Sequence, residues 1–287
     1  MIVVTDSAAD LTREDIQEGQ IHIAPLHIQF PDGGVSAEEI TPDEFYSRLK
    51  AMEPDIPTTS QPSAGLFTQL YRELAKIDPD ILSIHISSGL SGTLESARLG
   101  AKDASGANIT LVDTLTLSGG ERFQVLAAVK GIKAGWSLEQ ILARLDQIRA
   151  ATETIYTLET LVYLARGGRI GRVQALAGSL LKLKPVIKVE KADGKYSTVG
   201  KERTMPKALE NICQYLVGVY GSQTPLHVSI LHGQFADQAQ ALYQLLGEKL
   251  NVARSEILRI SPVLGVHTGP GIVGATVVPQ ELLEGIV

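Results

Sequence analysis

The feature that most restricts the fold is an alternation of short apolar strands with longer helical segments through the first half of the chain, ending in a change of rhythm near Thr152. Such alternation predicts parallel βαβ units, because two parallel neighbours need a crossover long enough to hold a helix. Residues 2–5, 21–30, 81–87 and 109–112 read as extended, and 41–52, 63–76, 92–104, 117–134 and 137–151 as helices. Thr41 with Glu44, and Ser137 with Gln140, have the spacing of capping boxes, and Pro42 suits a first helical position. Past residue 153 a strand over 154–158 and a short helix over 159–165 lead into GGRIGR, whose glycines break any regular element. Strands over 185–190 and 195–200 flank Ala-Asp-Gly, a hairpin signal, and are followed by helices over 206–220 and 235–250 and strands over 226–231, 256–261 and 272–278. The expected architecture is α/β, with a doubly wound, mainly parallel sheet in a domain over residues 1–153. A mixed α+β domain over 154–287 follows.

Charge narrows the function. The 26 Lys and Arg against 32 Asp and Glu leave a net charge of -6, which argues against general nucleic-acid binding. The basic residues are nevertheless concentrated: residues 166–207 hold eleven Lys or Arg and three acids, a local +8 that leaves -14 for the remainder. A solvated hairpin accounts for the lysines, whereas Arg166, Arg169 and Arg172 beside glycines, and Arg203 at a helix start, suit a phosphate or an acidic partner. One cysteine, Cys213, rules out an internal disulfide and lies in an amphipathic helix, where an apolar role is expected. The start MIVVTDSAADL has no leader pattern and no apolar run reaches membrane-span length, so the cytoplasm is the expected compartment and a monomer the expected state.

Three segments carry the candidate chemistry. In SIHISSGLSGTLESA, residues 83–97, a buried strand passes through a hydroxyl-rich turn into a helix, so Ser88, Ser91, Gly92, Thr93 and the local backbone N–H groups are expected to converge on an anion. The turn lacks the lysine of a phosphate-binding P-loop, and simple capping by Ser91 is the plainer explanation. In PTTSQPS, residues 57–63, two prolines fix an extended loop whose Thr58, Thr59 and Ser60 offer neutral hydroxyl donors. In VLGVHTGPG, residues 263–271, glycines around His267 predict a loop through which backbone approaches a ligand closely. The remaining histidines lack metal-ligand spacing, and no resident metal or cofactor is expected. An alternative of another class is a Mg²⁺-dependent phosphoryl-transfer or hydrolase enzyme built on Asp6, Ser7 and the SSGLSGT turn, with Asp10 and Asp113 near the same sheet edge. A third is a regulatory module that meets an acidic partner through the +8 segment.

The set TDS, TTSQPS, SSGLSGT, GGRIGR, ERT and HTGPG, in this order over essentially the whole chain, resembles the DegV family of bacterial fatty-acid-binding proteins. The resemblance implies a protein that performs no bond chemistry of its own. It implies one buried long-chain fatty acid, such as palmitate, stearate or oleate, held between the two domains. It implies presentation of the carboxylate to a separate fatty-acid kinase of the dihydroxyacetone-kinase type, making acyl phosphate for phospholipid synthesis. On this sequence Thr59 and Ser91 are then expected to bind the carboxylate, Arg169 and His267 to organise that end, and Arg203 to dock the kinase. The low aromatic content of 5% accords with an aliphatic tunnel rather than a base- or sugar-stacking site.

Overall fold

The computed structural model describes residues 1–174 and 183–284, so Lys182 of the basic segment lies outside the described residues. Four parallel strands, β1 (Ile2–Asp6), β2 (His22–Ala24), β6 (Asp80–His85) and β7 (Asn108–Asp113), form one sheet in the order β2-β1-β6-β7. Helices α3 (Ala64–Ala75) and α4 (Thr93–Asp103) cover one face through Phe67, Tyr71, Leu74 and Ala97. Helices α5 (Gly119–Lys133) and α6 (Leu138–Ala151) cover the other through Phe123, Val125, Ile141 and Leu145. The α6 start is the capping box expected from Ser137 and Gln140. At Thr41 the hydroxyl accepts from the Glu44 N–H, and α2 (Pro42–Ala51) begins there.

The second sheet is mixed and larger. Strands β8 (Glu153–Leu158), β9 (Lys184–Val189), β10 (Tyr196–Glu202), β11 (Leu226–His232), β12 (Val252–Arg259) and β13 (Ile272–Pro279) run in the order β10-β9-β8-β13-β11-β12, antiparallel except for β11 with β12. The hairpin predicted around Ala-Asp-Gly is the β9–β10 pair. Helices α8 (Met205–Tyr220) and α9 (Ala236–Lys249) pack on its outer face, and Cys213 is buried there among apolar neighbours. Helix α5 packs against both sheets, which explains a helix buried nearly all round. Its Glu121 is fully buried, and burial, with Asp6 nearby, drives the carboxyl well above its usual range while the Thr5 hydroxyl donates to it at 3.1 Å. On the same helix Arg122 pairs with Asp15 and with Glu256 of β12, tying the two halves together.

Sequence and structure part company in several places: a helix over Arg13–Gly19 was not expected, and β12 spans Val252–Arg259 rather than 256–261. Three further differences bear on the site. The extended stretch expected over 21–30 is two strands: β2 ends at Ala24, and β3 (His27–Phe30) leaves the parallel sheet for a three-stranded antiparallel one with β4 (Gly33–Ser36) and β5 (Thr58–Ser60). Pro25, which has no N–H to donate, stands at the break. Residues 58–60, expected as a loop, are therefore a strand, with Thr59 opposite Ile28. Residues 262–268, also expected as a loop, form helix α10 (Pro262–Thr268), with Pro262 in its first turn. Gly265 there allows close packing on Phe45 and Tyr46 of α2 rather than on a ligand. Short helices α1 (Arg13–Gly19), α7 (Val162–Arg166) and α11 (Glu281–Glu284) complete the described elements.

Candidate functional site

Two adjoining cavities lie where the halves meet. The outer one, about 40 Å³, is lined by Thr59, Ser91, Arg169 and His267 at its polar side and by Leu26, Ile86, Leu90 and Val263 elsewhere. The inner one, about 10 Å³, is almost wholly apolar, with Leu158, Leu164, Ile187 and Ile260 in its wall. Leu117, Tyr196, Leu264 and Thr268 line both, so the two lie back to back.

The polar end is assembled from four chain segments. Strand β5 presents Thr59, whose Oγ1 lies 2.7 Å from Nε2 of His267 on α10. Burial, reinforced by the charge of Arg169, lowers the His267 pKa to about 4, so the ring is neutral near pH 7. A neutral ring protonated at Nε2 donates to Thr59 and leaves the threonine proton free for a ligand. Position 167 is glycine for a steric reason: a Cβ there would stand 2.2 Å from His267 Nδ1. Arg169, two residues on, donates to the Gly167 carbonyl at 2.8 Å and reaches the cavity from the exposed surface.

Ser91 stands in the turn before α4. Its Oγ accepts from the Thr93 N–H at 3.3 Å and lies 2.9 Å from Thr93 Oγ1. The N–H groups of residues 88–91, in the turn itself, are engaged by protein acceptors. The N–H groups of Leu90 and Ser91 donate to the Ser87 carbonyl, that of Gly89 to Ser87 Oγ and that of Ser88 to Asp113. Donors for an anion here are therefore the hydroxyls and the amides at the start of α4, not those of residues 88–91.

Several expected residues are placed elsewhere. Ser88 gives its hydroxyl to Asp113 at 2.5 Å, Ser60 accepts from Gln29 at 3.1 Å, Thr58 is exposed, and none of them lines either cavity. Thr93 is fully buried beneath Ser91. Gly92 serves packing: a Cβ would meet the Gln61 amide at 2.4 Å, and Gln61 in turn donates to Ser96 at 2.9 Å, joining the two hydroxyl loops. Arg166 donates to the Pro54 carbonyl and Arg172 pairs with Asp193, so only Arg169 of the three reaches the cavity. Arg203 is exposed just after β10 and lines neither cavity.

The alternative metal site does not assemble. Asp6 accepts from the N–H groups of Ala8 and Ile86 and lies 3.0 Å from His85 Nδ1, while Ser7 Oγ accepts from the Leu26 N–H. Asp113 is engaged by Ser88 and Leu115. Among the described residues no group of three His, Cys, Asp or Glu side chains is arranged to hold a metal ion, and no helix is long and apolar enough to cross a membrane.

Residues missing from the sequence reading include Leu117, Tyr196, Leu264 and Thr268, which line both cavities, and Gly167 and Gln61, which hold the polar end in place. Gly167 stands in GGRIGR, Gln61 in PTTSQPS, and Leu264 and Thr268 in VLGVHTGPG, but nothing in those motifs marked them for these roles. The hairpin tip is also brought onto the second loop, where Ser87 Oγ donates to the Gly194 carbonyl at 2.9 Å.

The chain is similar to known proteins over nearly its whole length. The family model described as an uncharacterised protein of the DegV family matches residues 1–280. A DegV domain-containing protein of Deinococcus radiodurans is 36% identical over 277 residues, 96% of this chain and 95% of that one. Among solved structures, a fatty-acid-binding DegV family protein from Thermus thermophilus superposes with a TM-score of 0.90 at 34% identity, covering 97% of this chain and 99% of the other. A stearic-acid-binding protein from Eubacterium ventriosum gives 0.88 at 27% identity, covering 98% and 99%.

Proposed function

Because the chain belongs to the DegV family, we propose that it is a carrier for one long-chain fatty acid, with the carboxylate at Thr59 and Ser91 and the tail running into the adjoining apolar cavity. The observation that carries this reading is that all four candidate head-group residues line one cavity, which adjoins an aliphatic one. Thr59, relayed by neutral His267, and Ser91, whose oxygen already accepts from Thr93, each keep a proton to donate. Arg169 supplies the charge at the open side. A carboxylate left without such donors on burial would cost several kcal/mol, so these groups fix orientation. At ~0.8 kcal/mol per methylene, a tail of about fourteen gains on the order of 11 kcal/mol before ordering costs, so the tail dominates affinity. A long acyl chain exceeds both cavity volumes, and its entry requires the lining leucines and isoleucines to part by rotamer changes.

The finer reading is that the protein performs no bond chemistry and presents the carboxylate to a separate kinase for acyl-phosphate formation. Arg169 at the cavity mouth and exposed Arg203 supply cationic groups for such a partner. The division near residue 153 falls at the start of β8, so head-group residues come from both proposed domains.

Native mass spectrometry of the purified protein tests the carrier role. One added fatty-acid mass is expected. A protein that neither retains nor takes up fatty acid sinks it.

A further inference from the structure

One wall of the inner cavity is formed by Leu117, Ser118 and Ile260. On its far side lies a cleft of about 350 Å³ lined by Asp6, Ser7, Asp10, Arg259 and Ser261 among others. Two consecutive pairs build the partition. Leu117 and Ile260 face the inner cavity, and their successors Ser118 and Ser261 turn to the same carboxylate, Asp10. Ser118 Oγ donates to Asp10 Oδ2 at 2.5 Å, and the Ser261 N–H donates to Asp10 Oδ1 at 2.7 Å. Ser118 lines the inner cavity while Asp10 lines the cleft, so the hydrogen bond between them spans the wall. The Ser118 N–H also donates to the Ala8 carbonyl at 2.8 Å, anchoring the turn that precedes Asp10.

We infer that the Ser118–Asp10 pair is the stop for the methyl end of the bound chain and sets the longest acid the protein accepts, an inference that rests on the carrier reading above. The four head-group residues all lie on the outer cavity, so a chain anchored there points its other end inward, toward this wall. A methylene that reached the pair would have to break a buried hydrogen bond to a carboxylate and leave its partner unsatisfied, which opposes the gain from burial. Both residues also have positive φ, 49° at Asp10 and 57° at Ser118, conformations that side chains other than glycine rarely adopt. Neither residue belongs to the head-group machinery, and neither was a candidate for chain-length selection in the sequence.

The test is competition among straight-chain saturated acids, lengthened one ethylene unit at a time, for the purified protein, read by native mass spectrometry. Ser118→Gly and Asp10→Gly open the wall from its two sides without backbone conflict, since glycine suits both conformations. Each is expected to raise the longest retained acid by at least one ethylene unit. Beyond the wild-type limit, each added methylene should then gain up to about fourfold in affinity instead of losing it. Asp10→Asn keeps one acceptor for Ser261 and an amide donor for Ser118, and is expected to keep the wild-type limit. Circular dichroism establishes that each variant is folded. The inference is overturned if both folded glycine variants keep the wild-type limit, or if Asp10→Asn moves it as far as Asp10→Gly does. A wild-type protein that holds no acid of any length overturns the carrier reading itself, a result distinct from an unchanged limit.

Discussion

The hydroxyl of Thr59 lies 2.7 Å from Nε2 of His267, joining a strand and a helix that are 208 residues apart in the chain. With the ring neutral near pH 7, a tautomer protonated at Nε2 would donate to Thr59 and leave the threonine proton for a guest. Thr59→Ala and Ser91→Ala are each expected to weaken fatty-acid retention by about tenfold or more, the size of one hydrogen bond to a charged group at ~1.5–3 kcal/mol. Both side chains are partly exposed and no core is disturbed, so the melting temperature should hardly change. Unaltered lipid content in the double variant, purified natively, would remove both residues from the head-group site.

Gly167→Ala tests the support behind His267. The backbone at Gly167 is ordinary helical geometry with φ of -72°, so the cost is purely steric, a Cβ 2.2 Å from the ring. Overpacking of this kind costs ~1–3 kcal/mol, and the ring must rotate or shift away from Thr59. Imidazole resonances of His267 should move and fatty-acid retention should fall, as for Thr59→Ala. Unchanged resonances with unchanged retention would show that the ring does not depend on this contact.

Stability should depend on pH through Asp10 with a sign opposite to that of a paired carboxylate. Burial raises its pKa from 3.8 to about 6, outweighing the hydrogen bonds from Ser118 and Ser261. The folded protein therefore binds this proton more tightly than the unfolded chain does. Between these two values stability falls as pH rises, the penalty being fully developed above pH 6 and absent below the unfolded value. A shift of this size corresponds to about 3 kcal/mol at neutral pH. Asp10→Asn should gain stability relative to wild type at pH 7, and the gain should shrink as the pH is lowered toward 4. Urea unfolding at the two pH values decides; an equal difference at both means that Asp10 does not titrate in this window.

Arg203→Ala is expected to leave bound lipid and melting temperature unchanged, within about 0.5 kcal/mol for an exposed side chain, while slowing phosphorylation of the cargo by the cognate kinase. Equal turnover with the variant and the wild-type carrier would count against a docking role.

Much of the fold was readable because its signals are local. Hydrophobic periodicity and caps at Thr41 and Ser137 depend on residues within a turn or two, and these placed most helices within a residue or two of where they lie. Helix α10 and strand β5 escaped for the opposite reason. The glycines of VLGVHTGPG read as a loop, but Gly265 is small because α2 packs on it, and Thr58–Ser60 is a strand only because β3 lies alongside.

By itself the sequence determined which chemical groups were available: neutral hydroxyls in two loops, one histidine among glycines, a basic hairpin and an aliphatic interior. Tertiary structure alone decided which of them meet. Ser88 and Ser91 are three residues apart in one turn, yet the first is claimed by Asp113 and the second lines the cavity. Arg166, Arg169 and Arg172 repeat every three residues, and only the middle one reaches the site. The physical reason is that a hydrogen-bonding group goes to whichever partner the packing of distant segments brings within about 3 Å, and that distance is not encoded in spacing along the chain.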